Sequence, residues 1–210
     1  YQVKETIKTM PEVYTLFPTI IYKEQSGAIL TEEELSFINT VPLNDHGLGN
    51  SVSKDTFLLD NIELSRLKSV LTTHLNNYLN DVMKIDNTLY ITNSWLNLTR
   101  KSQEHTLHSH SNSVLSGVFY ISASDSQPQI TFSRLDYPFM LNMKAREYHS
   151  ANSMEWNVPV FDNDVIVFPS KLHHAVLPNP TDNERISIAF NSFVKGTIGA
   201  DNSGADLTIN

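Results

Sequence analysis

The sequence predicts a mainly β protein of the α+β class, a β-sandwich or jelly roll that is backed by helices in its N-terminal third. Periodic apolar residues indicate helices before residue 87, and short β-rich segments separated by turn residues follow one another after it. Six to eight short strands after a helical region are typical of a sandwich or jelly roll. The length of 210 residues fits a single domain.

The region 1–87 is predicted to be a helical support for the sheets. Apolar residues within 13–22 predict a short strand that joins the sheet. Thr31 and Glu34 have the spacing of a capping box, in which each side chain accepts a hydrogen bond from the backbone N–H of the other residue. This spacing predicts a helix over about 32–39.

A second, longer helix is predicted to begin at Asp60, a residue type that caps helices, with Glu63 three residues later. Its apolar residues recur at helical spacing over about six turns, so the helix is amphipathic and should lie on a flat surface. These residues are Ile62, Leu64, Leu67, Val70, Leu71, Leu75, Tyr78, Leu79 and Val82.

The region 88–195 is predicted to form the β core. The expected strands are 88–99, 105–110, 114–122, 128–133, 155–160, 164–168, 173–177 and 185–193. The polar, partly basic loop at 134–154 is either a lid that selects the substrate or an ordinary insertion. The polar segment 196–210 has little periodicity and is expected to be a loose tail.

Composition excludes several classes of protein. Cysteine is absent, which removes disulfides, thiolate metal ligands and cysteine nucleophiles. The net charge of −8 makes a nucleic-acid partner unlikely. The absence of a long apolar run and of a signal pattern predicts a cytoplasmic protein without membrane contact. A homodimer is left open.

Two histidine clusters indicate a metal site. His108 and His110 are two residues apart, a spacing that places both imidazoles on one face of a strand. His174 lies in a distant cluster and could complete a facial set of three ligands with open positions for substrate or oxygen. The alternative is that the His-x-His pair lies on a solvated strand end.

The strand that begins at Arg185 indicates a carboxylate site. Its residues alternate, so that Arg185, Ser187, Ala189 and Asn191 share one face. A guanidinium can bind both oxygens of a carboxylate, and a nearby hydroxyl adds a further hydrogen bond. The alternative is that Arg185 pairs with Glu184 or Asp182 on the surface, or with another carboxylate in the core.

Together these motifs resemble the 2-oxoglutarate/Fe(II) oxygenases, in particular a branch found in marine bacteria and bacteriophages. The resemblance covers about residues 90–193. The segments that carry it are the His-x-His pair, Asn112-Ser113-Val114-Leu115-Ser116-Gly117-Val118-Phe119-Tyr120, Phe168-Pro169-Ser170-x-Leu172-x-His174-x-Val176, Pro178-Asn179 and Glu184-Arg185-Ile186-Ser187-Ile188-Ala189-Phe190-Asn191. Ser94-Trp95-Leu96-Asn97 is similar to the segment before the first ligand strand.

The resemblance implies a double-stranded β-helix with helices packed on one sheet. It implies Fe(II) as the metal, with 2-oxoglutarate and O₂ as co-substrates. His174 would be the distal iron ligand, and Arg185 with Ser187 would bind the 2-oxoglutarate carboxylate. Tyr120 would be a further hydrogen-bond donor to that carboxylate. A phage origin would place the protein in the host cytoplasm.

One motif departs from the family. Most such enzymes have His-x-Asp where this chain has His108-Ser109-His110. Either His110 replaces the carboxylate, or a carboxylate such as Glu104 or Asp125 completes the triad. Three neutral imidazoles would leave the metal site more positive. His105 and His173 are expected to be neighbours of the site rather than ligands.

The expected activity is hydroxylation of a small-molecule or peptide substrate that the sequence does not identify. Ser116 and Asn191 are candidates for the pocket lining, and Trp95 and Trp156 are expected to be core aromatics. Two other classes stay open. A cupin-like metal enzyme would need the histidines but not Arg185 and Ser187, and a non-catalytic jelly-roll binding or structural protein would need neither.

Overall fold

Two antiparallel sheets face each other in the computed structural model, which describes residues 11–27, 30–136, 141, 143–199 and 204–209. They form the predicted jelly roll. The strands are β1 Tyr22–Gln25, β2 Leu43–Asn44, β3 Ser51–Ser53, β4 Thr88–Thr99, β5 His105–His108, β6 Leu115–Ser122, β7 Ile130–Ser133, β8 Glu155–Val158, β9 Asp164–Pro169, β10 His173–Val176, β11 Arg185–Ile198 and β12 Leu207–Ile209.

The larger sheet has the strand order β1-β9-β6-β11-β4-β3-β2, and β12 pairs with β11 at its end. The smaller sheet has the order β5-β10-β7-β8. Along β11, Arg185 lies opposite Thr99 of β4, and Ser187 lies between Asn97 of β4 and Tyr120 of β6. This register brings polar residues of three strands to one face of the larger sheet.

The two faces of the larger sheet bury different clusters. Successive residues of β9 show the alternation, since Val165 and Val167 belong to one cluster and Ile166 and Phe168 to the other. The outer cluster packs the sheet against the helices, and its members include Leu67, Leu71, Leu75, Phe119, Ile188 and Phe190. The inner cluster lies between the two sheets and includes Tyr120, Ile130, Phe132, Ile166 and Phe168.

A glycine permits close packing in the outer cluster. Gly117 lies opposite Phe190 in the pairing of β6 with β11. A Cβ atom at Gly117 would lie 2.2 Å from Cζ of Phe190, far inside van der Waals contact. The Phe190 ring therefore occupies the space that a side chain at residue 117 would need.

Helix α1, Glu32–Thr40, begins as predicted. Its N-cap Thr31 accepts a hydrogen bond from the Glu34 N–H at 3.2 Å, and the Glu34 carboxylate accepts one from the Thr31 N–H at 2.9 Å. The Glu34 carboxylate also pairs with Arg66. The capping box and the first predicted helix are confirmed.

The predicted cap at Asp60 is wrong. Helix α2 is Ser65–Asn77, and a π-helical turn over Tyr78–Val82 continues it. Asp60 instead ends a short 3-10 turn, because the backbone at Asn61 is extended, with φ −67° and ψ 140°. The Asn61 side chain holds this break by donating to the Leu58 carbonyl at 2.8 Å.

Both ends of the chain differ from expectation. The predicted strand at 13–22 begins only at Tyr22, because Phe17 has a positive φ of 56° and interrupts the extended run. At the other end, β11 continues to Ile198, and Leu207–Ile209 pairs with Gly196–Ile198 instead of forming a loose tail.

Some predictions fall where no structure is described. Residues 137–140 and 142 of the loop at 134–154, residues 200–203 and 210 of the predicted tail, and residues 1–10 lie outside the described residues. No helix within the described ranges is both long and apolar enough to cross a bilayer.

Candidate active site

The structure brings the three predicted histidines together at one end of the space between the sheets. His174 of β10 lies opposite His108 in the pairing of β10 with β5. His110 lies two residues beyond the end of β5, where its N–H donates to the Ser170 carbonyl at 2.9 Å. One possible ligand atom from each histidine lies within 4.8 Å of the others, so the group could hold a metal ion.

Backbone carbonyls orient two of these rings. His108 Nδ1 is 2.7 Å from the Thr106 carbonyl, and His174 Nδ1 is 3.0 Å from the Leu172 carbonyl. A carbonyl only accepts, so Nδ1 is the protonated nitrogen in each ring and Nε2 keeps its lone pair. His174 Nε2 and His110 Nε2 are 3.3 Å apart. This is the arrangement in which imidazole Nε2 atoms bind a metal.

His110 and His174 are in the neutral form that a metal requires. Burial lowers the pKa of His174 to about 3 and that of His110 to about 4. The charge of the neighbouring His108 lowers both pKa values further. The imidazoles therefore present lone pairs at neutral pH.

No carboxylate joins this group in the described part of the chain. Glu104 instead pairs through its backbone, donating to the Leu48 carbonyl at 3.0 Å. Asp125 lies exposed in the turn between β6 and β7. Of the alternatives that the sequence left open, His110 is the one that belongs to the group of described side chains that could hold a metal.

A buried arginine lies at the other end of the cavity. Arg185 is 2% exposed, and among the described residues it makes no ion pair. Its Nε and the Tyr120 hydroxyl are buried and have no hydrogen-bond partner within the described ranges. The guanidinium carbon lies 5.0 Å from the centre of the Tyr120 ring. Burial raises the pKa of Tyr120, so its hydroxyl keeps its proton.

Surface pairing of Arg185, one of the alternatives that the sequence left open, is not observed. Glu184 pairs with Arg100 at 3.1 Å, and Asp182 pairs with Lys101 at 3.0 Å. Both acidic residues therefore pair with cations other than Arg185. The two unpartnered donors of the cavity, in contrast, have the hydrogen-bonding capacity that a bound anion would satisfy.

The route by which Arg185 and His174 approach each other differs from the prediction. The turn-like Pro178-Asn179-Pro180 between them predicts a strand, a turn and a returning strand that set His174 and Arg185 near each other. The structure assigns β10 to the smaller sheet and β11 to the larger one. The two residues line the same cavity because the sheets face each other across it.

Two tryptophans lie elsewhere than the sequence predicts, and two asparagines of the cavity lining were not predicted. Trp95 was expected in the core, but its half-buried ring stacks on His110, with the ring centres 5.7 Å apart. Trp156, also expected in the core, is 47% exposed. Asn50 and Asn97 line the cavity and are joined by a hydrogen bond of 2.8 Å.

Alternation along β4 is the signal that could have placed Trp95 and Asn97 on the cavity face, since they are two residues apart. No comparable local signal exists for Asn50. Of the two polar residues that were candidates for the lining, Ser116 lines the cavity and donates to the Asn191 side chain at 2.8 Å.

The cavity fits a metal cation together with an organic dianion. Its volume is about 240 Å³. Its lining, over the described residues, contains the three histidines at one end, Arg185 at the other, and no carboxylate. Imidazoles suit Fe(II) as well as Zn(II), Cu(II) and Ni(II), and a dicarboxylate would balance the positive charge of the metal and of Arg185.

Residues 93–191 match a protein-family model described as "Putative 2OG-Fe(II) oxygenase". No curated protein sequence gives a match. Among solved structures, HygX from Streptomyces hygroscopicus, with nickel, 2-oxoglutarate and hygromycin B bound, is similar. It is 16% identical, with a TM-score of 0.59, and 83% of this chain and 82% of that chain are covered.

Two further structures share the fold. A Pseudomonas putida prolyl-4-hydroxylase is 13% identical, with a TM-score of 0.55 and with 82% of this chain and 92% of that chain covered. An oxidoreductase of the 2OG-Fe(II) oxygenase family from Burkholderia pseudomallei is 14% identical, with a TM-score of 0.55 and coverage of 77% and 79%. At these identities the likeness shows the fold.

The family match and the geometry concern the same part of the molecule. The matched segment contains the three histidines, Arg185 and Tyr120, which come from four strands and one loop and line one cavity. Over this segment, the sequence matches the family model of the 2-oxoglutarate/Fe(II) oxygenases.

Proposed function

We propose that this protein is an Fe(II)- and 2-oxoglutarate-dependent hydroxylase, which couples oxidative decarboxylation of 2-oxoglutarate to hydroxylation of a C–H bond in a small-molecule or peptide substrate. The overall reaction converts 2-oxoglutarate, O₂ and R–H to succinate, CO₂ and R–OH. One observation supports it above the others: the buried donors of Arg185 and Tyr120 lack a partner among the described residues and line the same cavity as the three histidines that could hold a metal.

The Nε2 atoms of His108 and His174, together with His110, would hold Fe(II). When bound, Fe(II) supplies the activation of O₂ that both halves of the reaction need. The protein's part is to fix the rings, and the carbonyls of Thr106 and Leu172 do so through Nδ1. Trp95 supports His110 by stacking on it.

The distal carboxylate of 2-oxoglutarate would bind at the Arg185 end of the cavity. The guanidinium can donate two parallel hydrogen bonds to it, and the Tyr120 hydroxyl can donate a third. Ser187 lies next to Tyr120 in the register of β11 with β6 and lines the same cavity, so its hydroxyl can add a fourth. These bonds would use the donors that otherwise have no described partner.

The remaining wall of the cavity would face the substrate. Trp95, Asn50 and Val52 form it, and none of the three is charged. An indole face binds apolar or planar groups, and the amide of Asn50 offers hydrogen bonds. This wall is suited to a neutral part of a substrate.

Anaerobic addition of Fe(II) and 2-oxoglutarate tests the assignment. We expect the visible charge-transfer band of a metal-chelated 2-oxo acid, and succinate release once O₂ is admitted. His174→Ala should abolish the band because it removes a ligand. Arg185→Ala should retain it only at 2-oxoglutarate concentrations at least tenfold higher, because a charge-assisted pair is lost. His46→Ala, a change at an exposed histidine, is the control and should behave like the wild type.

Each alternative has its own result in this experiment. Metal binding without a band in the wild type would favour a cupin-like metal enzyme. Absence of metal binding would favour a non-catalytic jelly-roll protein. A band that survives both substitutions unchanged would contradict the assigned residues. Hydroxylation itself requires that oxygen from labelled O₂ appear in the product of a substrate that stimulates succinate release.

A further inference from the structure

A fourth histidine, His105, lines the cavity and is not part of the histidine group that could hold a metal. It begins β5, opposite Val176 of β10. Its Nε2 lies 2.8 Å from the Thr99 hydroxyl. Thr99 in turn lies opposite Arg185 in the pairing of β4 with β11. His105 is thus placed at the Arg185 end of the cavity.

We propose that His105 is a further binding residue for the distal carboxylate of 2-oxoglutarate, donating a hydrogen bond from Nδ1–H in a tautomer that Thr99 fixes. The proposal rests on the function proposed above and adds a residue to it. It also predicts that the site distinguishes 2-oxo acids that have a distal carboxylate from those that do not.

The hydroxyl of Thr99 determines the tautomer. Thr99 is fully buried, and within the described ranges its Oγ1 has His105 Nε2 as its hydrogen-bond partner. If Nε2 carried the proton and donated it, the Thr99 hydroxyl proton would be buried without an acceptor, which is costly. The lower-cost arrangement is that the hydroxyl donates to Nε2. In a neutral ring, Nδ1 then carries the proton.

Charge also favours a neutral donor at this position. Burial is the main cause that lowers the pKa of His105 to about 3, and the charge of Arg185 adds to it. The ring is therefore neutral at physiological pH and does not repel Arg185. A neutral N–H beside a guanidinium can bind the same carboxylate without adding a second positive charge.

Binding of two 2-oxo acids to the Fe(II)-loaded protein tests this role without turnover. The dissociation constants of 2-oxoglutarate and 2-oxopentanoate are measured anaerobically from the charge-transfer band. Both acids have five carbons and chelate through the same end, but only 2-oxoglutarate has a distal carboxylate. His105→Leu should weaken 2-oxoglutarate about tenfold, the usual effect of losing a hydrogen bond to a charged group. It should leave 2-oxopentanoate within about twofold.

Conservative variants separate a binding role from a structural one. His105→Asn keeps an N–H close to the position of Nδ1 and should restore 2-oxoglutarate binding to within about threefold of the wild type. Thr99→Val removes the group that fixes the tautomer and should weaken 2-oxoglutarate alone, whereas Thr99→Ser should not. The two weakening substitutions should be non-additive when combined, because they interrupt the same hydrogen-bonded chain.

Two results would overturn the proposal. Equal weakening of both acids by His105→Leu would show a general distortion of the cavity, and unchanged 2-oxoglutarate binding would show that His105 makes no contact with it. Failure of the wild type to give any band with 2-oxoglutarate would instead contradict the proposed function, so the two failures are distinguishable.

Discussion

The two faces of the larger sheet differ in whether their buried side chains have interaction partners in the folded protein. On the helix side of β11, Ile188 and Phe190 are fully buried among apolar neighbours. On the cavity side of the same strand, Arg185 is equally buried but has no ion pair among the described residues. One strand therefore stabilises the fold through one face, and on the other it carries a buried donor, Arg185 Nε, that has no partner among the described residues. Burial of a donor without a partner lowers the stability of the ligand-free protein, and a ligand that accepts its hydrogen bond would remove this cost.

The largest expected effect is on the helix side. Phe190→Ala should lower the free energy of unfolding by about 3–5 kcal/mol, because it removes a fully buried ring and leaves a cavity. Urea unfolding of the ligand-free protein measures this change. Phe57→Ala is the matched control, because Phe57 is 54% exposed, and it should cost less than about 1 kcal/mol. Similar losses in the two variants would show that the helix-side cluster is not the main source of stability.

The cavity side should be the source of sensitivity to acid. His105, His110 and His174 have pKa values lowered to about 3 to 4, below the ordinary value of 6.5. The unfolded chain then binds more protons than the folded one between these values. The contribution of these histidines to the free energy of unfolding is therefore fully present above pH 6.5 and is lost as the pH falls below that value. His105 alone should contribute a loss of about 1 kcal/mol between pH 7 and 5.5.

Unfolding of the metal-free protein at several pH values measures this loss. His105→Asn has no titrating group and should flatten the pH dependence by about that 1 kcal/mol. His46→Asn, at an exposed position, should leave it unchanged. An identical slope in wild type and His105→Asn would contradict the assigned cause.

The same comparison explains what the sequence could predict. The alternation of Arg185 and Ser187 with Ile186 and Ile188 is local, so the sequence alone predicts which residues of β11 share a face. The capping box at Thr31 was local in the same way. The His-x-His pair was also found, although His110 lies in the loop beyond the strand rather than on it.

The errors concern features that depend on distant parts of the chain. Asp60 has the right residue type for a cap, but the extended backbone at Asn61 overrides it. Trp95 looks like a core residue until the register of β4 places it beside His110. The role proposed for His105 requires Thr99 and Arg185 to be neighbours, which only the pairing of β4 with β11 provides.

The smallest expected change in stability is also the most informative about the two faces. Arg185→Met replaces a buried cation that lacks an ion pair among the described residues with an apolar chain of similar length. Because the desolvation cost of the charge is removed, the free energy of unfolding should stay constant or rise by up to about 1 kcal/mol. The affinity for 2-oxoglutarate should fall at least tenfold in the same variant.

Arg66→Met is the contrasting control for this prediction. Arg66 pairs with Glu34, whose side chain is 3% exposed, so the substitution leaves a buried carboxylate without its cation. That variant should lose about 2 kcal/mol and keep its affinity for 2-oxoglutarate. If Arg185→Met instead loses as much stability as Arg66→Met, then Arg185 is satisfied within the folded protein. The cavity face would then serve the fold as the helix face does, rather than being held ready for a carboxylate.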